Sequence, residues 1–199
     1  LGFGVNAASF LVAAALVALI RTRSRGGAGA RGESLRTQLT DGVKAVVGSA
    51  VARTLVLFVF LDTAVYGASS VLLVAVSVDL GSGSKGYGYL LAGQALGGVL
   101  LATVANRLAA RGRLADVLVA GMLLLCLPFA ATALVGGIGT AFVLQVLAGS
   151  GMVLIDVLAI TALQRDLPRD LLSRALGLVD TVVLAACVTG SAAAAALLK

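Results

Sequence analysis

Histidine and tryptophan are missing from this sequence, proline and cysteine occur only twice each, and just 9 of 199 residues are acidic. Without histidine there is no Ser-His nucleophile pair and no His-bearing metal site. Gly149-Ser150-Gly151 thus has no histidine base to serve it. Cys126 and Cys187 both lie inside apolar runs without CxxC spacing, which argues against a disulfide framework or a metal site and for small core residues. An intramembrane aspartyl protease needs two aligned acids, and Gly177-Leu178-Val179-Asp180 lacks the second Gly of a GxGD motif. No GxxxxGK[ST] run is present to cradle phosphates, so nothing in the sequence hydrolyses nucleotide. Neither an enzyme nor a cofactor is expected.

Charge is scarce as well. Only 12% of the residues are charged while 60% are hydrophobic, against about 25% charged in a soluble domain. Apolar runs of about 20 residues with few charges read as transmembrane helices. Six candidate spans follow, at 1 to 20, 54 to 78, 87 to 108, 115 to 135, 140 to 163 and 175 to 198. The runs are continuous rather than alternating, which favours helices over barrel strands. Pro128 would at most kink the fourth span. The first run has no basic stretch before it and is followed by Arg21, Arg23 and Arg25, the reverse of a secretory signal, so it reads as a true span. The chain opens at Leu1 without Met and closes at Lys199 straight out of an apolar run, which suggests a segment of something longer. The expected fold class is all-α, a polytopic membrane helical bundle.

The basic residues are placed lopsidedly. Arg21, Arg23, Arg25, Arg31, Arg36, Lys44 and Arg53 follow span one; Arg107, Arg111 and Arg113 follow span three; Arg165, Arg169 and Arg174 follow span five. Of the 15 basic residues only Lys85 and Lys199 fall on the other side. Lys and Arg concentrate in cytoplasmic loops, so alternate basic loops set the orientation and support the number and order of spans. The net charge of +6 then reports topology and not nucleic-acid binding. The longest basic loop begins as a Gly- and Arg-rich linker, 21 to 32. From Ser34 onward, Leu35, Leu39, Val43, Val46, Val47 and Ala50 recur at helical spacing opposite Arg36, Gln38, Asp41 and Lys44. That pattern predicts an amphipathic helix anchored in the membrane interface.

Three acids lie within spans, where each is expensive in lipid and marks a protein-facing or wet position. Counting 1.5 Å per residue, Asp62 is about 10 Å inside span two from its basic end, Asp156 about 10 Å inside span five and Asp180 about 8 Å inside span six. Helical spacing groups Asp62 with Tyr66 and Ser69, Asp156 with Gly149 and Gln145, and Asp180 with Gly177, Cys187 and Ser191. A carboxylate held so can load and release protons near neutral pH, which suits proton coupling. The structural alternative is that the acids pair with loop arginines such as Arg53 or Arg174 and pin helix ends. Gly86, Gly93 and Gly97 share one face of span three, which favours close packing within one bundle over dimerisation.

A long basic loop followed by spans with short connections resembles the second half of a major facilitator superfamily transporter. After span three, Asn106-Arg107-Leu108-Ala109-Ala110-Arg111-Gly112-Arg113 is similar to the second copy of that family's cytoplasmic GxxxDRxGR loop, with Asn106 in place of the acid, Ala102 in place of the first Gly, and a longer spacing to Gly112. After span five, Gln164-Arg165-Asp166-Leu167-Pro168, followed by Arg174 and Gly177 and preceded by Asp156, is similar to the loop of bacterial drug-efflux-like members. The resemblance implies six of twelve transmembrane helices, numbers six to eleven: 1 to 20 closing the first half, 21 to 53 a cytoplasmic linker, and 54 to 199 the C-terminal half without its last helix. It implies a multi-pass protein of the bacterial plasma membrane, an efflux antiporter that works by alternating access around a midplane cavity. Asp62, Tyr66, Ser69, Gln145 and Asp156 would lie on the substrate or proton pathway. Asn106, Arg107, Arg111, Arg113, Arg165, Arg174 and Asp180 would form a cytoplasmic gate. The implied partners are membrane lipid, a small-molecule substrate, protons as coupling ion and the N-terminal half of the same chain, with no nucleic acid. The altered loop motif and the Gly- and Ala-rich core keep a second reading open, a membrane scaffold or sensor that retains the fold without transport.

Overall fold

The computed structural model describes residues 2 to 19, 35 to 111 and 114 to 198. Among them there are seven α-helices and no strand. Helix α1 spans Gly2–Ala18, α2 Leu35–Gly48, α3 Ala50–Asp79, α4 Gly83–Arg111, α5 Leu114–Thr132, α6 Ile138–Asp166 and α7 Arg169–Leu197. Five of these, α3 to α7, are long and apolar enough to cross a membrane. The chain was expected to supply six. Helix α1 is apolar but has only 17 residues, about 26 Å at 1.5 Å per residue, short of a hydrocarbon core of about 30 Å. It belongs to a separate unit, residues 1 to 35, while residues 36 to 199 form the bundle.

Most of the spanning helices overrun their hydropathy edges, and at the start of α3 a side-chain cap accounts for it. Ser49, in extended conformation, accepts the Ala52 N–H at 3.1 Å and starts α3 before the apolar run begins. Pro168 fills the position before α7, where a missing N–H costs nothing. Helices α3 and α4 are joined by a turn in which Gly81 and Gly83 take φ of 69° and 54°, a region that side chains with a Cβ rarely enter. Pro128 sits inside α5 without ending it, although the helix stops at Thr132, one turn later.

Glycine sets how closely the helices approach. The α4 residues Gly93 and Gly97 lie against Phe142 and Val146 of α6, and Gly149 of α6 lies against the Gln94 backbone. In the same way Gly151 meets Gly121 and Leu125 of α5, and Gly67 of α3 meets the Cys187 carbonyl of α7. The small-residue face of α4 therefore packs inside this bundle, as its spacing led us to expect. A core of Leu55, Val59, Leu118, Leu125, Ile155 and Leu158 fills the space between α3, α5 and α6.

The starts of α3 and α5 and the end of α6 meet at one end of the bundle, where Val51, Leu114 and Arg165 line a common cleft. Helix α2 is fastened to the same end. Arg174 of α7 donates to Asp41 at 2.5 Å, Gly42 sits beneath the Arg174 carbonyl, and Val46 joins the core. Ser49 also donates to Asp166 at 2.5 Å, tying the α2–α3 junction to α6. Val43 and Val47 remain exposed, so the amphipathic helix splits its apolar residues between the bundle and an outward face. Among the described residues, Arg53, Arg107, Arg165 and Arg174 thus lie toward one end, as the alternation of basic loops requires, and Lys85 stands at the other, just after the turn from α3 to α4.

Candidate functional site

Asp62 continues the buried stripe that Leu55 and Val59 begin on α3, since positions i, i+4 and i+7 share a helix face. It is 2% exposed, and its Oδ1 is buried with no hydrogen-bond partner, the one side-chain atom in that condition among the described residues. Buried polar atoms are nearly always paired, so an orphan carboxylate oxygen inside a packed bundle stands out. Asp156 of α6, half-buried, lies near enough for its charge to act on Asp62, and the charge of Asp62 in turn acts on Cys126 of α5. Three helices therefore bring two acids and a thiol to one level. The two carboxylates repel when both are ionised.

The helices run past the apolar edges, so these residues are farther from the helix ends than from the edges of the apolar runs. With α3 beginning at Ala50 and α6 ending at Asp166, Asp62 is about 18 Å and Asp156 about 15 Å from the basic end of its helix at 1.5 Å per residue. Asp180 has a similar depth on α7 but is exposed on the outside of the bundle, so only two of the three acids come together. Of the two arginines named as pinning partners, Arg53 and Arg174, the second is bonded to Asp41 of α2, and Asp62 Oδ1 has no partner.

One helical turn farther from the basic end lies a groove of about 460 Å³ between α3, α4 and α6. Its walls include Tyr66, Leu91, Gln94, Gly98, Gly149 and Met152, and no charged residue lines it. Tyr66 is one turn along α3 from Asp62, and Met152 one turn along α6 from Asp156. The acid pair and the groove are thus neighbours on the same two helices.

The other expected pathway residues are placed differently. Ser69 is buried, and its hydroxyl donates to the Tyr66 carbonyl at 2.8 Å within its own helix. Gln145 is fully buried and belongs to a hydrogen-bonded ladder across three helices. Gln94 Nε2 donates to Gln145 Oε1 at 2.9 Å, Gln145 Nε2 to Thr132 Oγ1 at 2.9 Å, and Thr132 Oγ1 to the Pro128 carbonyl at 2.9 Å. Of this ladder, Gln94 is the member that reaches the groove. Gln145 is legible in the sequence because it shares a stripe with Asp156, whereas Gln94, Thr132 and the proximity of Cys126 do not follow from that pattern. A polar residue inside an apolar run was the available signal for Gln94.

Among the expected gate residues, Arg165 lines the cleft at the basic end beside Asp166, and Arg107 is exposed near the end of α4. Asn106 and Arg111 lie in the last turns of α4, while Arg113 is outside the described residues. No group of three or more acids or cysteines among the described residues is arranged to hold a metal ion. In comparison with protein-family models, curated proteins and solved structures, this chain matches none.

Proposed function

We propose that this chain is part of a secondary active transporter of the major facilitator type, one that couples proton movement to efflux of a small molecule across the bacterial plasma membrane by alternating access. The observation that carries the reading is the unpartnered Asp62 carboxylate oxygen, buried at membrane depth beside Asp156 and one turn from an uncharged groove. Ionisable groups inside apolar spans are costly and concentrate at ion and substrate pathways. A group that gains and loses a proton next to a binding groove is the element that proton coupling needs. In this reading Asp62 and Asp156 carry the proton, the groove takes the substrate, and Arg165 and its neighbours face the cytoplasm.

The test is made on full-length protein in liposomes that enclose a pH-sensitive dye, challenged with a panel of small amphipathic compounds. Compound-driven proton flux is expected, and Asp62→Asn and Asp156→Asn should each reduce it at least tenfold while compound binding persists. If neither compound nor proton moves, and the two substitutions leave the protein's cellular effect unchanged, the chain is a scaffold or sensor and transport is refuted.

A further inference from the structure

The ladder that crosses the bundle fixes the chemistry of the groove. Its direction is set at one end by Pro128, whose carbonyl can only accept. The Thr132 hydroxyl donates its one proton there, so Thr132 Oγ1 can only accept from the next member. Gln145 must therefore turn Nε2 toward Thr132 and Oε1 toward Gln94, and Gln94 must in turn donate through Nε2. Both amides are held in one orientation with no second arrangement that keeps every bond. What remains is Gln94 Oε1. It makes no hydrogen bond among the described residues, yet it is not among the buried unpartnered atoms, and its residue, only 8% exposed, lines the groove. The groove thus presents a fixed acceptor.

The rest of the wall narrows the ligand further. Tyr66 adds a phenol that is 43% exposed, and the remaining lining is aliphatic, glycine and a methionine. None of it is charged, and Asp62 is buried away from the groove surface. A volume of about 460 Å³ lies within the common range for small-molecule sites of roughly 300 to 1,000 Å³.

We infer that the groove between α3, α4 and α6 binds a neutral amphipathic small molecule that carries a hydrogen-bond donor, with Gln94 Oε1 as the acceptor that selects it. The inference rests on the transport reading only for what the bound molecule is used for. Gln145 and Thr132 act through Gln94 as positioning residues.

The test is binding to the full-length protein in lipid nanodiscs by equilibrium dialysis at pH 7, with empty nanodiscs as the blank. Three probes are used: 1-naphthol, 1-methoxynaphthalene, which lacks the donor, and the cation tetraphenylphosphonium. A net hydrogen bond of about 0.5–1.5 kcal/mol converts, at 1.4 kcal/mol per factor of ten, to a roughly 2- to 12-fold preference for 1-naphthol over its methyl ether. Gln94→Met should bring the two naphthalenes to equal affinity. Ala95→Phe, which adds a ring to the groove wall and leaves the ladder untouched, should abolish binding of both, and tetraphenylphosphonium should bind more weakly than either. Equal affinity of the two naphthalenes for the unmodified protein overturns the inference, as does tighter binding of the cation. Binding that Ala95→Phe leaves unchanged also overturns it and gives the groove to a lipid chain or another helix. The expected binding order in protein that moves nothing across vesicles supports the groove assignment and refutes transport. Vesicle transport confined to tetraphenylphosphonium and similar cations refutes the groove assignment and leaves transport standing.

Discussion

Two Gly→Ala substitutions on α4 should shift stability in opposite directions. At Gly88 an added methyl meets nothing within 4 Å, so the change should stabilise by about 0.8–1 kcal/mol, the usual gain when Ala replaces Gly inside a helix. At Gly97 the same methyl would be driven into the Val146 carbonyl of α6 and come within 3.0 Å of the Ser150 N. These are backbone atoms, which cannot swing aside, so the two helices must separate. Overpacking of this kind costs about 1–3 kcal/mol, which cancels the propensity gain and leaves Gly97→Ala roughly 0–2 kcal/mol less stable than the parent. The gap between the variants is then about 1–3 kcal/mol. Reversible unfolding of the purified protein in mixed micelles, followed by circular dichroism against denaturing detergent, reads this difference directly. Equal stabilisation by both substitutions would show that α4 and α6 do not touch at Gly97. Because the spacing of these helices also fixes the Gln94–Gln145 bond and the width of the groove, Gly97→Ala should weaken 1-naphthol binding while Gly88→Ala leaves it unchanged.

Gln145→Leu should destabilise the bundle by about 1–3 kcal/mol, since Gln94 Nε2 loses its acceptor inside the protein. A double-mutant cycle with Gln94→Leu should give a coupling of about 0.6 kcal/mol, in the range found for polar pairs between membrane helices, and zero coupling would break the ladder. The Asp41–Arg174 pair is partly exposed, with side chains 32% and 24% accessible, so Asp41→Asn should cost less than about 1 kcal/mol and the loss should shrink in high salt. A cysteine at Lys85 and one at Arg165, introduced singly into protein without Cys126 and Cys187, should react with an impermeant maleimide from opposite faces of sealed vesicles, because the basic loops gather at the Arg165 end. Labelling of both from one face would refute the alternation of loops.

Five of the helices able to cross a membrane, and the end at which the basic loops meet, follow from hydropathy and charge placement alone. Both are one-dimensional properties: the length of each apolar run matches a bilayer, and each crossing reverses the side. The glycine face of α4 was equally legible, because only small residues at helical spacing let two backbones meet. Helix ends were less so, since caps such as Ser49 extend a helix past its apolar run at a cost hydropathy does not record. Asp62 is therefore about 18 Å from the start of its helix while about 10 Å from the edge of its apolar run.

What the sequence by itself determined is an all-helical chain with acids inside its apolar runs and a basic end. Which polar groups meet was decided only by tertiary packing. Asp62, Asp156 and Asp180 look alike along the chain, yet packing buries the first, half-buries the second near enough for their charges to interact, and leaves the third exposed. Gln145 and Gln94 are both amides within apolar runs, and the approach of α4 to α6 buries the first completely and leaves the second, 8% exposed, in the groove wall. The helical period gives each residue a face within its own helix, and only the contacts between helices, set here by glycine, decide what that face meets.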